Sequence, residues 1–188
     1  MQPPYFERQV LQRCAVHAAN NLLQLRAFSS DDFSAIADML TPPAFFGLWS
    51  LHRAPLSLGN FDANVLLRAL CGEGSGRDFR WLDVRSARAL LAPARFPHGA
   101  ALLGFLANRP TGGLLVRSRH WFAVREIDGA WWELNSSQPA PLRLARGRDE
   151  AAERLAALVD AGGQVLEIWI GSPPPYLAAA PLPSTAAH

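Results

Sequence analysis

The chain has 188 residues, 49% of them hydrophobic and 18% charged, and a formal net charge of +2. A chain of this length can bury roughly 70% of its unfolded surface, so one core suffices and no second domain is needed. It holds no run of eighteen apolar residues and no basic leader followed by an apolar stretch. That pattern sets aside a membrane span and a secretory signal, and the expectation is a soluble protein of a reducing compartment, cytoplasmic or nuclear.

All eighteen basic residues are arginine, and they are spread along the chain. Without a basic cluster, a glycine-rich phosphate loop or an RNA-binding aromatic motif, no nucleic-acid partner is expected. The two cysteines, Cys14 and Cys71, match no zinc spacing, so neither a metal nor another cofactor is expected.

The elements read in an α-then-β order. Residues 14–24 carry a helical apolar pattern that opens on Cys14. Ser29-Ser-Asp-Asp32 is an N-cap with acidic residues in the first turn, and Phe33, Ile36, Ala37 and Leu40 follow at helical spacing until Thr41-Pro-Pro43 stops the helix. Residues 44–58 are apolar but aperiodic. Asn60 or Asp62 caps a third helix running to about Leu70, and Gly72 to Gly76 breaks it. Residues 79–82 read as a short strand, 87–91 as a short helix, and 100–106 as an apolar run too short to assign by period. The better strands are 114–116, 121–126, 131–134 and 165–170, with a helix over 148–158 ended by Gly162-Gly163. From Ser172 the Pro- and Ala-rich sequence predicts a disordered tail, leaving residues 1–171 as one catalytic domain.

Chemistry enters at Cys14. A cysteine at a helix N-terminus meets unpaired backbone amides and the positive end of the helix dipole, both of which favour a thiolate and should lower its pKa. The partner base is His120, on a strand that turns at Asp128-Gly129 and returns through Trp131 and Trp132 to Asn135. Counting outward from the turn makes His120 and Asn135 near neighbours. That pairing suits a histidine that takes the thiol proton and an amide that fixes its tautomer. Gln9, five residues before Cys14, can then point its amide N–H at the oxyanion formed when a thiolate attacks a carbonyl.

In order and spacing, Glu7-Arg-Gln9, Leu11-Gln-Arg-Cys14-Ala-Val-His17, Asn20-Asn-Leu-Leu-Gln24, Gly59-Asn-Phe-Asp62, Arg119-His-Trp121 and Leu134-Asn-Ser136 resemble the Josephin domain of deubiquitinating cysteine proteases. The resemblance spans roughly residues 5–171. It implies an α+β, papain-like fold in which a helical subdomain with an N-terminal catalytic helix packs on a mostly antiparallel sheet. It further implies hydrolysis of the isopeptide bond after the C-terminal glycine of ubiquitin, with Cys14 as nucleophile, His120 as base, Asn135 as orienter and Gln9 in the oxyanion hole. Some members carry Asp where this chain has Asn135. Expected partners are ubiquitin, ubiquitin chains or ubiquitinated proteins, met by a monomer.

A bland role competes with each residue. His17 lies near the face of Cys14, but two partners on one helical turn do not easily flank a reacting carbonyl, so it reads as a packing or hydrogen-bonding histidine. Asn20 and Asn21 are poor helix formers, which points to a tertiary hydrogen bond from at least one of them. Asp62 reads as a cap. Trp121 is core or a wall of the substrate channel. Trp131 and Trp132 face opposite ways on their strand, one into the core and one partly exposed. His52 and His98 read as surface residues.

Two rival functions are another papain-like peptidase cutting after a Gly-Gly pair and a non-catalytic ubiquitin-binding module. Missing lysines fit either mutational bias or a protein that escapes modification among ubiquitin ligases. The composition also fits a bacterial protein delivered into a eukaryotic cell.

Overall fold

The computed structural model describes residues 3–10, 13–41, 61–82, 101–111 and 118–171. The sequence readings for 44–58, for the helix over 87–91, for the strand over 114–116, for His52 and His98 and for the tail from 172 lie outside the described residues.

Among the described residues three helices come first: α1 (Cys14–Leu23), α2 (Ser30–Leu40) and α3 (Ala63–Cys71). Local chemistry starts two of them. Ser29 and Asp32 form a reciprocal capping box at α2, and Asp62 accepts from the amides of Asn64 and Val65 at α3. By contrast, α1 begins after Arg13 with no side-chain cap at all. Its far end is held from outside: the Arg125 guanidinium donates to the carbonyl of Leu22, which places a cation at the negative end of the helix dipole.

The strands are β1 (Arg77–Leu82), β2 (Ala101–Thr111), β3 (Ser118–Ile127), β4 (Ala130–Leu134), β5 (Leu142–Arg143) and β6 (Gln164–Ile170), with α4 (Arg148–Asp160) before the last. They form one sheet in the order β1-β6-β2-β3-β4-β5, every neighbouring pair antiparallel. This is the α+β arrangement expected from the sequence. The apolar run that the period could not assign is β2, a central strand whose Leu103, Phe105, Leu106 and Ala107 are all buried. A strand covered on both faces loses the alternation by which a strand is read.

Each face of the sheet carries its own core. On one, α1, α2 and α3 pack Ala15, Ala18, Ala19, Leu22, Phe33, Val65 and Leu66 against Leu106, Trp121, Ala123, Leu166 and Ile168. On the other, Ala151, Ala152 and Leu155 of α4 cover Phe105, Phe122, Val124, Trp131 and Val165. Alternation along β3 sends Trp121 and Ala123 under α1 and Phe122 and Val124 under α4. Trp131 and Trp132 divide in the same way, Trp131 buried under α4 and Trp132 half-buried against the helical side.

Three alanines let α1 lie close to the sheet, and Gly104 brings it closer still. With φ +151°, Gly104 sits at a register shift in β2, and a Cβ there would lie 2.8 Å from the Val124 carbonyl oxygen and 2.9 Å from Leu22 Cδ1.

Candidate active site

The chain before α1 forms a strap along it. The two asparagines that weaken the helix carry this attachment: Asn21 Oδ1 accepts from the Glu7 amide at 2.7 Å, and its Nδ2 donates to the Glu7 carbonyl at 3.2 Å. Asn20 holds the other side, accepting from the Ala27 and Phe28 amides at 3.1 and 2.9 Å and donating to the Phe28 carbonyl at 2.8 Å. Both side chains are buried, and each answers a backbone group that no helix or strand satisfies. The expected tertiary hydrogen bond is therefore made twice.

Cys14 is the first residue of α1 and is 4% exposed. Its Sγ lies 4.0 Å from the Arg119 carbonyl oxygen. The backbone N–H groups of Trp121, Ala15 and Cys14 itself also bear on the sulfur. The thiol thus rests on the backbone of β3 on both sides of His120. It reaches that backbone because β4 ends at Leu134: the pairing of Ala123 with Leu134 is the outermost of the hairpin, and beyond it the edge of β3 is open.

His120 lies in β3 and is 7% exposed, its ring stacked near Phe122 with centroids 6.4 Å apart. Asp128 and Gly129 both adopt positive φ in the two-residue turn, as the Asp-Gly pair predicts. Continuing the register one step past Leu134 brings Asn135 level with Phe122, a diagonal neighbour of His120 on the same face. The bond between them, Nε2 to Asn135 Oδ1, is 2.8 Å.

That bond has a direction. The backbone N–H of Ser137 donates to the same Oδ1 at 3.1 Å and the Ser137 hydroxyl at 2.7 Å, which identifies this end of the amide as the oxygen. His120 Nε2 must then carry the hydrogen, and Nδ1 keeps its lone pair for proton transfer.

Gln9 completes the cluster. Its backbone N–H donates to the Ser136 carbonyl at 2.9 Å, and the Ser136 hydroxyl donates to Gln9 Oε1 at 3.4 Å. With Oε1 engaged, the NH₂ end is the part left to donate elsewhere. The turn after β4 thus holds His120 through Asn135 and Gln9 through Ser136. In the sequence Ser136 is marked only by its adjacency to Asn135, which says nothing about Gln9 until the chain folds.

Trp121 is 2% exposed with its side chain in the core beneath α1. Its backbone N–H bears on the thiol. His17 is apart from His120 and bonds Glu7 Oε2 through Nδ1 at 2.7 Å. Cys71 is a half-buried free thiol whose pKa burial raises to about 11, and no disulfide joins it to Cys14. Among the described residues no cluster of His, Cys, Asp or Glu could hold a metal ion.

One expectation is corrected. The helix N-terminus should lower the Cys14 pKa, yet burial raises it, and the amides of Trp121, Ala15 and Cys14 only partly offset that rise. His120 moves the opposite way: burial lowers its pKa, the bond it donates to Asn135 partly restores it, and the Arg109 charge, from the residue paired with it on β2, lowers it further. A raised thiol and a lowered imidazole describe a neutral pair at rest, with the S–H directed at the Arg119 carbonyl. Desolvation outweighs the dipole because a dipole contributes roughly 0.3–1 kcal/mol at an exposed helix end, whereas burying a charge costs several.

A family model described as Josephin matches residues 47–168, a range that contains His120 and Asn135. The chain is 37% identical to human Josephin-2 over 172 residues, covering 87% of this chain and 86% of the relative. It is 39% identical to mouse Josephin-2 over 150 residues, covering 76% and 74%. It belongs to the Josephin family. Josephin-like proteins of Arabidopsis thaliana and Drosophila melanogaster align at 36% and 30% identity over 78% and 73% of this chain. The Josephin family is generally of deubiquitinase type, and the helices set against a six-stranded antiparallel sheet agree with its α+β, papain-like fold.

Proposed function

We propose that this Josephin-family chain is a cysteine-type deubiquitinase that cleaves the bond after the C-terminal glycine of ubiquitin. The observation that carries this reading is the seat of Cys14 Sγ on the β3 backbone either side of His120, whose Nε2 is engaged by Asn135.

In this reading the tail of ubiquitin, Leu-Arg-Gly-Gly, lies between the start of α1 and the β3–β4 hairpin. The Cys14 proton passes to His120 Nδ1 as Sγ bonds the glycine carbonyl carbon. The oxyanion so formed is met by the NH₂ of Gln9. The imidazolium then protonates the departing lysine amine as the C–N bond breaks, leaving a thioester, and water activated by Nδ1 releases ubiquitin and restores the thiol. The resting pair is neutral, so substrate has only to shift one proton between two groups whose burial disfavours both charged forms. Asn135 supports the imidazolium through Nε2–H, and the Trp121 backbone N–H lies beside the thiol. Two glycines before the scissile bond suit a narrow passage that would reject side chains. Such activity belongs in the cytoplasm or nucleus, on ubiquitin chains or ubiquitinated proteins.

The test is a ubiquitin whose C-terminus carries a thiol-reactive electrophile, mixed with the wild type and with Cys14→Ala and followed by intact mass. A one-to-one adduct on the wild type alone is expected, while Cys14→Ala retains ubiquitin binding and has no measurable turnover. Cleavage of a ubiquitin substrate by purified Cys14→Ala would remove Cys14 from the mechanism.

A further inference from the structure

His17 was expected only to pack or to hydrogen-bond, yet both of its ring nitrogens end on the strap, one on each side of Gln9. Nδ1 meets Glu7 Oε2 at 2.7 Å, and Nε2 accepts from the Val10 amide at 3.4 Å. The ring is held between residues 7 and 10, and Gln9 lies inside that bracket.

The chemistry of the bracket is specific. Tyr5 Oη also donates to the Glu7 carboxylate, and Asn20 Nδ2 donates to it at 3.2 and 3.4 Å. These donors keep Glu7 an acceptor, so Nδ1 must carry the hydrogen. Nε2 is then bare and able to take the Val10 N–H. Glu7 and His17 are both largely buried, with 17% and 16% of their side chains exposed. Asn21 and Gln24 tie the strap at Glu7 and Tyr5, and across the site the Gln9 N–H goes to Ser136 in the turn after β4. Gln9 is thereby suspended between α1, through His17, and the turn after β4, through Ser136.

We propose that His17 is a positioning residue for the oxyanion donor, its imidazole bracing residues 7 and 10 so that the Gln9 amide is presented to the reacting carbonyl. The inference rests on the reading of Gln9 given above. His17 does not touch substrate and exchanges no proton with it. Its work is to fix the backbone on which the donor rides, and misplacing such a group by about an ångström can cost roughly 10²-fold in rate.

A double-mutant cycle tests this with a fluorogenic amide of the ubiquitin C-terminus, using Gln9→Ala, His17→Ala and both together in the full chain. His17→Ala should lower kcat about 10- to 100-fold with little change in KM. In the Gln9→Ala background the same change should cost less than about twofold, because the donor it positions is gone. Iodoacetamide modification of Cys14, read by peptide mass so that Cys71 is counted separately, should keep its wild-type rate, since alkylation needs no oxyanion donor.

Equal losses in the two backgrounds, or slowed alkylation, would show that His17 acts through the fold or the thiol and would overturn the proposal. An undiminished kcat in His17→Ala would overturn it as well. Full turnover by Gln9→Ala alone would instead remove the oxyanion reading beneath it, a distinct outcome. Should His17→Ala not fold, His17→Gln and Glu7→Gln carry the same cycle: each keeps a hydrogen-bonding side chain, and each should show a smaller loss that again vanishes without Gln9.

Discussion

Two histidines stand on opposite sides of this site, one on α1 and one on β3, and their partners set them apart. On the strap side His17 bonds a carboxylate, Glu7, inside a mesh that includes Tyr5 and Asn20. On the hairpin side His120 bonds a neutral amide, Asn135, and faces the Arg109 charge. A carboxylate takes the Nδ1–H and leaves Nε2 bare to accept the Val10 amide, which suits a brace. An amide orients the ring while leaving its lone pair available, which suits a base that must be neutral before it can accept the thiol proton. Each partner fixes a tautomer: Glu7 leaves Nε2 of His17 bare for a backbone amide, and Asn135 leaves Nδ1 of His120 bare.

The largest effect should come from removing the amide that bonds His120 Nε2. Asn135→Ala frees Nε2 to take either tautomer, and kcat on a ubiquitin substrate is expected to fall roughly 10²- to 10⁴-fold with the fold retained. A loss under tenfold would show that packing on Phe122 alone sets the ring.

On the strap side the corresponding loss is in stability. Asn20→Ala leaves the Phe28 amide without the Asn20 acceptor and the Ala27 amide with the Leu25 carbonyl alone, and is expected to cost about 1–3 kcal/mol in denaturant unfolding, with kcat much less affected. A variant as stable as the wild type would mean that these groups find water instead.

Exchanging amide for acid sharpens the contrast. Asn135→Asp places a carboxylate against Nε2 and raises the folded pKa of His120, so the ring stays cationic to higher pH. The acidic limb of kcat/KM should move up by about one pH unit. No movement would argue that the thiol, not the imidazole, governs that limb.

The smallest effect concerns acid stability. Burial raises the Glu7 pKa, but the bonds from Tyr5, His17 and Asn20 outweigh it and hold the carboxyl below its ordinary 4.5. A folded pKa depressed in this way contributes stability that is present above the unfolded value and is lost as pH falls through the folded one. The wild type should therefore lose stability more steeply than Glu7→Gln as pH falls below about 4.5. Parallel curves would place the effect in other carboxylates.

Much of this was legible in the chain itself. The caps of α2 and α3 were readable because Ser29, Asp32 and Asp62 act on amides two or three residues away. The approach of His120 to Asn135 was readable because a two-residue Asp-Gly turn sets the register of everything outward from it. The roles of Asn20 and Asn21 showed as a conflict with helix propensity, although their acceptors and donors did not. Strand β2 was obscured by burial on both faces, and β5, a two-residue strand, carries no periodicity to read.

The sequence by itself determined which chemical groups were available, Cys14, His120, Asn135 and Gln9, and through local caps and one tight turn it determined most of the elements that carry them. Only the tertiary structure decided their state. The pKa of Cys14 is set by how completely α1 and β3 exclude water from the sulfur, and the presentation of Gln9 by contacts to Ser136, 127 residues away, and to a strap folded back on α1. Desolvation and long-range hydrogen bonds depend on what surrounds a residue in space, and neighbours in sequence do not report it.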